Sequence, residues 1–290
     1  AVLYRRIPRA EKFSNGMTPE KSLNNVCKKF TTMLRSAGVI ANRMDGEDFH
    51  KWMLRWFNPN PPMTNGDVDE FIKINKYPDE DNRPIGHDLA ENFFFSMPKS
   101  CDKNGTWFFD GMAHRVINVQ RLNQIPEPGH ISAERSGDDN KVFSFMDKLP
   151  VGTVFSMTII FKPQDLLQNH LGRIKQAAIG DNQQAILAAE EATQAQYEIE
   201  TGNKIYPMNM CFYIRAKDQD SLNQLTHEVE SMMVGKNIQP ITLDSDMLQV
   251  DSYIRNLPMA YDSDHDLLTK RTRLTYCVDN GALLPFYGRS

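Results

Sequence analysis

The residues with the most chemistry to offer are an aspartate run, Asp262, Asp264 and Asp266, a Gly235–Lys236 pair, the His114–Arg115 dipeptide and four scattered cysteines. The aspartates have the alternate spacing that opens a calcium loop, where carboxylate oxygens replace a hard cation's water. That loop also needs a glycine where Leu267 stands and a bidentate glutamate where Arg273 stands. The run therefore reads as a solvated acidic turn. A phosphate loop needs GxxxxGK[ST], so that backbone amides and a lysine cradle the phosphates. Around Gly235–Lys236, Glu230 occupies the first glycine's place and Asn237 the hydroxyl's, so this is not such a loop. GxGxxG, GxSxG and HExxH are absent too.

His114 and Arg115 have no partner at catalytic spacing and read as partly exposed strand residues rather than a general base. Cys27, Cys101, Cys211 and Cys277 form no CxxC pair and no Cys/His cluster of zinc spacing, which points to plain thiols in a reducing compartment. Asn104-Gly105-Thr106 matches a glycosylation sequon, but a cytoplasmic segment would not meet that machinery. The residues themselves thus assign no catalytic, cofactor-binding or metal-binding position. Lys270, Arg271 and Arg273 remain as a short basic cluster suited to a helix end, a salt-bridged interface or a nucleic-acid contact. Arg5, Arg6 and Arg9 offer a second such cluster in the first residues.

The elements that must position these groups follow from composition and period. The chain of 290 residues is 40% apolar and 24% charged with a net charge of -4, which suits a globular protein and gives no whole-chain case for binding nucleic acid or anionic lipid. No apolar run approaches a bilayer span; FSMTIIF, Phe155 to Phe161, is among the longest. The start does not have the pattern of a signal peptide, and the expected location is the cytoplasm or a cytoplasmic face.

Thr18 before Pro19 predicts a helix start, with Leu23, Val26, Cys27, Phe30, Met33 and Leu34 at helical spacing and Gly38 as the stop. A second helix opens near Asp45, places Phe49, Trp52, Met53 and Trp56 on one face, and ends at the NPNPP of residues 58–62. Trp52 and Trp56 read as core rather than as a stacking platform for a ligand. Residues 63–90, rich in Pro, Asn, Asp and Gly, read as a loop or linker. Phe93 to Met97 is a strand candidate. Trp107 to Phe109, Asp110-Gly111 and Ala113 to Leu122 read as a hairpin turned at Asp-Gly, with Val116, Asn118 and Gln120 facing opposite to Arg115, Ile117 and Val119. Strands at 151–161, 208–215 and 238–243 alternate with helical stretches at 163–201 and 218–234, which predicts helices packed on a sheet.

The stretch from Pro163 to Thr201 has a heptad-like seam through Leu167, Leu171, Ile174, Ala178, Asp181, Ala185, Ala188, Ala192, Ala195 and Ile199. Burying each Leu or Ile contributes roughly 1.5 to 3 kcal/mol, so the first half should dock on the sheet. Alanines contribute less and permit the close approach of another helix. Gly180-Asp181-Asn182 predicts a break and a helical hairpin; Ala185, Ala188 and Ala192 become candidate interface residues if the arm meets another subunit. Leu283, Leu284, Phe286 and Tyr287 form an apolar cluster that reads as the lead-in to a further domain.

The fold class is α/β of the α+β kind, a mixed sheet with packed helices, a β-hairpin subdomain and a long helix or helical hairpin. The expected divisions are a helical segment at 1–62, the linker at 63–90, a hairpin subdomain at 91–150, a β-α-β-α-β subdomain at 151–262 and a connector at 263–290.

Three stretches carry a resemblance. HRVINVQRLNQIPEPGH (His114 to His130), DSYIRNLPMAYDSDHDLLTKRTRL (Asp251 to Leu274) and LLPFYGRS (Leu283 to Ser290) resemble the conjugative transfer ATPases of integrative and conjugative elements, relatives of the large cytoplasmic ATPase of type IV secretion systems. The likeness runs from about Asp45 to the last residue in the same order. It implies an N-terminal α/β region ahead of a RecA-like motor, with ATP and magnesium bound only in that motor. It also implies docking on inner-membrane secretion components, hexamer assembly and peripheral association with the inner membrane. DNA contact would be indirect, and a nucleic-acid-binding module acting through the basic clusters is the alternative.

Overall fold

The computed structural model describes residues 18–77, 89–136, 142–178 and 182–285. The chain divides into two units. One holds the described parts of Ala1–Lys99 with Phe108–Met112 and Leu257–Tyr261; the other holds those of Ser100–Trp107, Ala113–Asn256 and Asp262–Ser290.

The first unit opens with α1 (Pro19–Ser36), α2 (Gly46–Phe57) and α3 (Val68–Ile74). Thr18, Asp45 and Asp67 cap the three helices, each side chain accepting from the amide three residues on, which satisfies a donor that has no partner within the helix. Gly38, at φ 81°, ends α1 in the left-handed region, and the amide of Val39 reaches back to Leu34 O at 2.9 Å. The buried face of α2 is His50, Met53, Leu54 and Phe57. This corrects the expected face, since Trp52 and Trp56 are half-buried and stack on each other at 5.3 Å.

Two further expectations change here. Phe93 to Met97 is irregular chain, because its rings are anchored individually: Phe93 and Phe94 lie 6.5 and 4.6 Å from Phe57, and Phe95 meets Phe71 edge-on at 5.0 Å. The carbonyl of Phe93 accepts from the Asn58 amide at 2.8 Å, so it is not free for a ladder. Within the expected linker, Asp67 and the apolar Val68, Phe71 and Ile74 suffice to form α3, which buries Phe71.

The sheet is built from β1 (Lys99–Cys101), β2 (Thr106–Phe109), β3 (Met112–Leu122), β6 (Val154–Ile159) and β7 (Ile205–Ala216) in the order β1-β2-β3-β7-β6, with β8 (Ile238–Pro240) on β3 and β9 (Arg273–Tyr276) on β7. A separate small ladder pairs β4 (Arg135–Ser136) with β5 (Val142–Phe143). The Asp110-Gly111 turn forms as expected, both residues at positive φ (48° and 80°). The helices are α4 (Phe145–Lys148), α5 (Gln164–Ala177), α6 (Gln183–Glu200), α7 (Gln219–Val234), α8 (Gln249–Arg255), α9 (Ser263–Thr269) and α10 (Cys277–Leu283).

The expected mixed sheet is antiparallel instead: β3 with β7, β3 with β8, β6 with β7 and β7 with β9 all run in opposite directions. A single crossover helix would return the chain to the start of β6 and give a parallel neighbour. Two helices, α5 and α6, return it to the end it left, so β7 descends beside β6. The hairpin packs through Leu171, Ala192 and Ala195 onto Ile205 of β7, with Ile174, Ile199 and Tyr276 around them. Residues 263–285, expected as a connector, supply β9 to the sheet and then α10.

From Ala113 to Val119 every residue of β3 is buried, because helices cover both faces. Arg115 reaches Thr226 and Asn223 of α7, while on the opposite face His114 meets Tyr253 of α8. His114 and Arg115 are therefore interior groups, at 4% and 1% exposure, and not the partly exposed residues expected.

Candidate interaction cleft

A cleft of mixed chemistry, an opening of about 460 Å³, lies where the end of β3, β8, the 241–248 loop and the start of β9 converge. Its rim includes Gln120, Gln239, Met247, Leu248, Arg271 and Arg273. Met247 is 96% exposed, an unusual place for a large apolar side chain.

Beneath it lies a buried polar network. Asn118 of β3 donates its side-chain amide to Asp246 Oδ2 at 2.8 Å and accepts from Asn256 Nδ2 at 3.1 Å; Asn256 in turn accepts from Asn209 Nδ2 of β7 at 2.5 Å. Asp246 also takes the amide of Leu248 at 3.0 Å and an ion pair from Arg271 Nη2. A buried carboxylate is tolerated when its lone pairs are filled and a cation neutralises it, and Asp246 meets both conditions. The network pins the 241–248 loop to the sheet, aided by the Ile241 amide on Asn118 O at 2.8 Å and Gln249 Nε2 on Val116 O at 2.9 Å. Met247 and Leu248 are thereby presented at a fixed place.

The basic cluster is only partly a cluster. Arg271 and Arg273 line the same cleft, but the charge of Arg271 is compensated by Asp246, leaving Arg273 and Lys270 exposed. Lys270 sits at the C-cap of α9 in the left-handed conformation, φ 53°. Arg5, Arg6 and Arg9 lie outside the described residues.

The other sequence candidates separate. Asp262 caps α9 through the amides of Asp264 and His265, and Asp266 accepts from the Thr272 amide and hydroxyl at 3.0 and 2.5 Å, so both carboxylates are engaged in chain turns. Among the described residues no group of three or more His, Cys, Asp or Glu is placed to hold a metal. Ala192 is enclosed in the α5–α6 hairpin, while Ala185 and Ala188 are half-buried on α6. Leu283 is fully buried beside Ala282, whose carbonyl accepts from Gly129 and His130; Leu284 is half-buried, and Phe286 and Tyr287 lie outside the described residues. All four cysteines are free thiols.

The strongly shifted groups sit elsewhere. Burial, reinforced by Arg215, lowers His114 to about 3 and keeps it neutral. Burial also lowers Arg115, against the pull of Glu230, and raises the Cys211 thiol and the Tyr213 phenol. None of these four lines the cleft or the second opening, of about 480 Å³, between α5 and α6. In the cleft the hydroxyls of Thr242 and Ser245 bond each other at 3.2 Å, and what the rim offers is hydrogen bonding, positive charge and apolar area.

Sequence reasoning did not find Asp246, Asn256, Asn209 or Met247. The available signal was Asn118, a polar residue placed among apolar ones in a strand. Its partners Asp246 and Asn256 lie 128 and 138 positions along the chain, beyond any local pattern.

An α+β domain with a helix-covered antiparallel sheet and a polar cleft over a pinned loop is the class these features define. A family profile described as TraC protein matches residues 1–261, and the chain belongs to that family. The membership places it in conjugative transfer by type IV secretion. Comparison with curated proteins gives no match. No described helix is long and apolar enough to cross a membrane.

Proposed function

We propose that this chain is a non-catalytic docking and assembly module of a conjugative-transfer ATPase, held at the cytoplasmic side of the inner membrane by other components of the secretion complex. Membership of the TraC family over residues 1–261 carries the reading. The sequence supports it through the failed phosphate loop at Gly235–Lys236.

In this reading ATP and magnesium are handled by a RecA-like motor domain outside these residues, and the whole protein works as a hexamer. The cleft at Met247, Leu248 and Arg273 receives a segment of a partner protein that offers apolar side chains and a negative charge. The purified chain, given ATP and magnesium, is expected to release phosphate no faster than buffer alone. Hydrolysis that persists at constant specific activity through successive purifications would overturn the non-catalytic assignment.

A further inference from the structure

The 18 residues of α1 contain Leu23, Val26, Cys27, Phe30, Met33 and Leu34, yet the helix has no buried residue. At 100° per residue these six side chains fall within one sector of about 120°. The sector forms an apolar stripe about 17 Å long, exposed at Val26 and Met33 and half-buried at Leu23, Cys27, Phe30 and Leu34. Val26 is 49% and Met33 69% exposed, and exposed apolar residues continue past the helix at Ile40 (90%) and Met44 (59%). Arg43 Nη1, bonded to Asn24 Oδ1 at 2.7 Å, ties this following segment to the helix.

The charge on the remaining surface is one-sided. Lys21, Lys28, Lys29 and Arg35 face a single carboxylate, Glu20. Lys29 lies three residues after Val26 and four before Met33, so its stem runs along the border of the stripe with its ammonium directed outward. A second copy of α1 laid against the first would bring two such lysines together. A surface carrying negative charge beside apolar matter would satisfy both halves of the helix at once.

We propose that α1 is a membrane-surface helix that lies in the headgroup boundary of an anionic bilayer, apolar stripe inward, Lys29 at its border beside the lipid phosphates and the other cations on the outer face. The chain then has a lipid contact of its own, independent of docking through the cleft. Each cation near such a surface strengthens binding about fivefold at low salt, an advantage lost as salt shortens the screening length.

The test is flotation of the full chain with phosphatidylglycerol–phosphatidylcholine vesicles and with pure phosphatidylcholine vesicles, at low and high salt. Binding is expected on the anionic vesicles only, weakening with salt. Val26→Glu with Met33→Glu should abolish it, and Lys28→Glu with Lys29→Glu should weaken it at least tenfold; these side chains are exposed, so circular dichroism should stay unchanged. Folded wild-type protein that fails to float with anionic vesicles overturns the proposal, as does binding untouched by the apolar substitutions. If those substitutions instead abolish self-association of a protein that binds no vesicle, the stripe is a contact between copies and the lipid assignment is wrong. A variant that does not fold leaves the wild-type lipid and salt dependence to decide.

Discussion

Arg115 is a cation held in the interior by neutral partners: Thr226 Oγ1 and the carbonyl of Asn104 at 2.7 Å, Asn223 Oδ1 at 2.9 Å and Thr106 Oγ1 at 3.2 Å. Its planar fork satisfies β2, the turn before it and α7 together, which a point charge cannot do. Arg115→Met should cost on the order of 3 kcal/mol, because these oxygens lose their donor without gaining water. Arg115→Lys should recover only part of that, as read from urea midpoints. His114 gives a pH dependence of definite sign. Its folded value near 3 lies below the unfolded 6.5, so the unfolded chain takes up a proton that the folded one refuses, and stability falls as pH drops below 6.5. Between pH 7 and pH 5 this amounts to about 2 kcal/mol. His114→Gln, compared by urea unfolding at the two pH values, should show a correspondingly smaller loss; an unchanged loss would show that another group is responsible. The sequence placed both residues on a strand but left them half in water, because nothing local says that helices will cover both faces of β3.

At the scale of elements, what could be read locally was read well. The cap at Thr18, the helix starts near Asp45 and Asp218, the Asp-Gly turn and the break between α5 and α6 are each set by a few adjacent residues. What depended on distant partners was displaced. The buried face of α2 turned toward His50 and Phe57 because Phe93 and Phe109 pack there. Residues 263–285 entered the sheet because Ile205 to Met208 of β7 offered an open edge to β9. The α5–α6 hairpin allows a direct check. Ala192, at 3% exposure, has no room for a larger side chain, so Ala192→Leu should destabilise by about 1–3 kcal/mol. Ala185→Leu, at a half-buried position, should cost less. Thermal unfolding of the pair separates the two, and equal costs would mean that the hairpin does not close at Ala192.

For the whole molecule, fold class and family were legible while the site was not. The three resembling stretches led to the conjugative transfer machinery, where the TraC family match also lies. The cleft escaped because it is made of ordinary residues, Gln120, Met247, Leu248 and Arg273, that matter only once Asn118 and Asp246 have fixed the loop beneath them. The nucleic-acid alternative predicts DNA affinity that falls steeply with salt, and with Arg271 neutralised by Asp246 the cleft is a poor place for it. The central claim, docking within the secretion complex, is tested most directly in donor cells. Expressed beside its own intact conjugative system, the chain should occupy the docking positions and lower transfer frequency in proportion to its amount. Met247→Glu with Arg273→Glu should remove that inhibition without unfolding the protein. Undiminished transfer in the presence of an excess of folded chain would contradict the account.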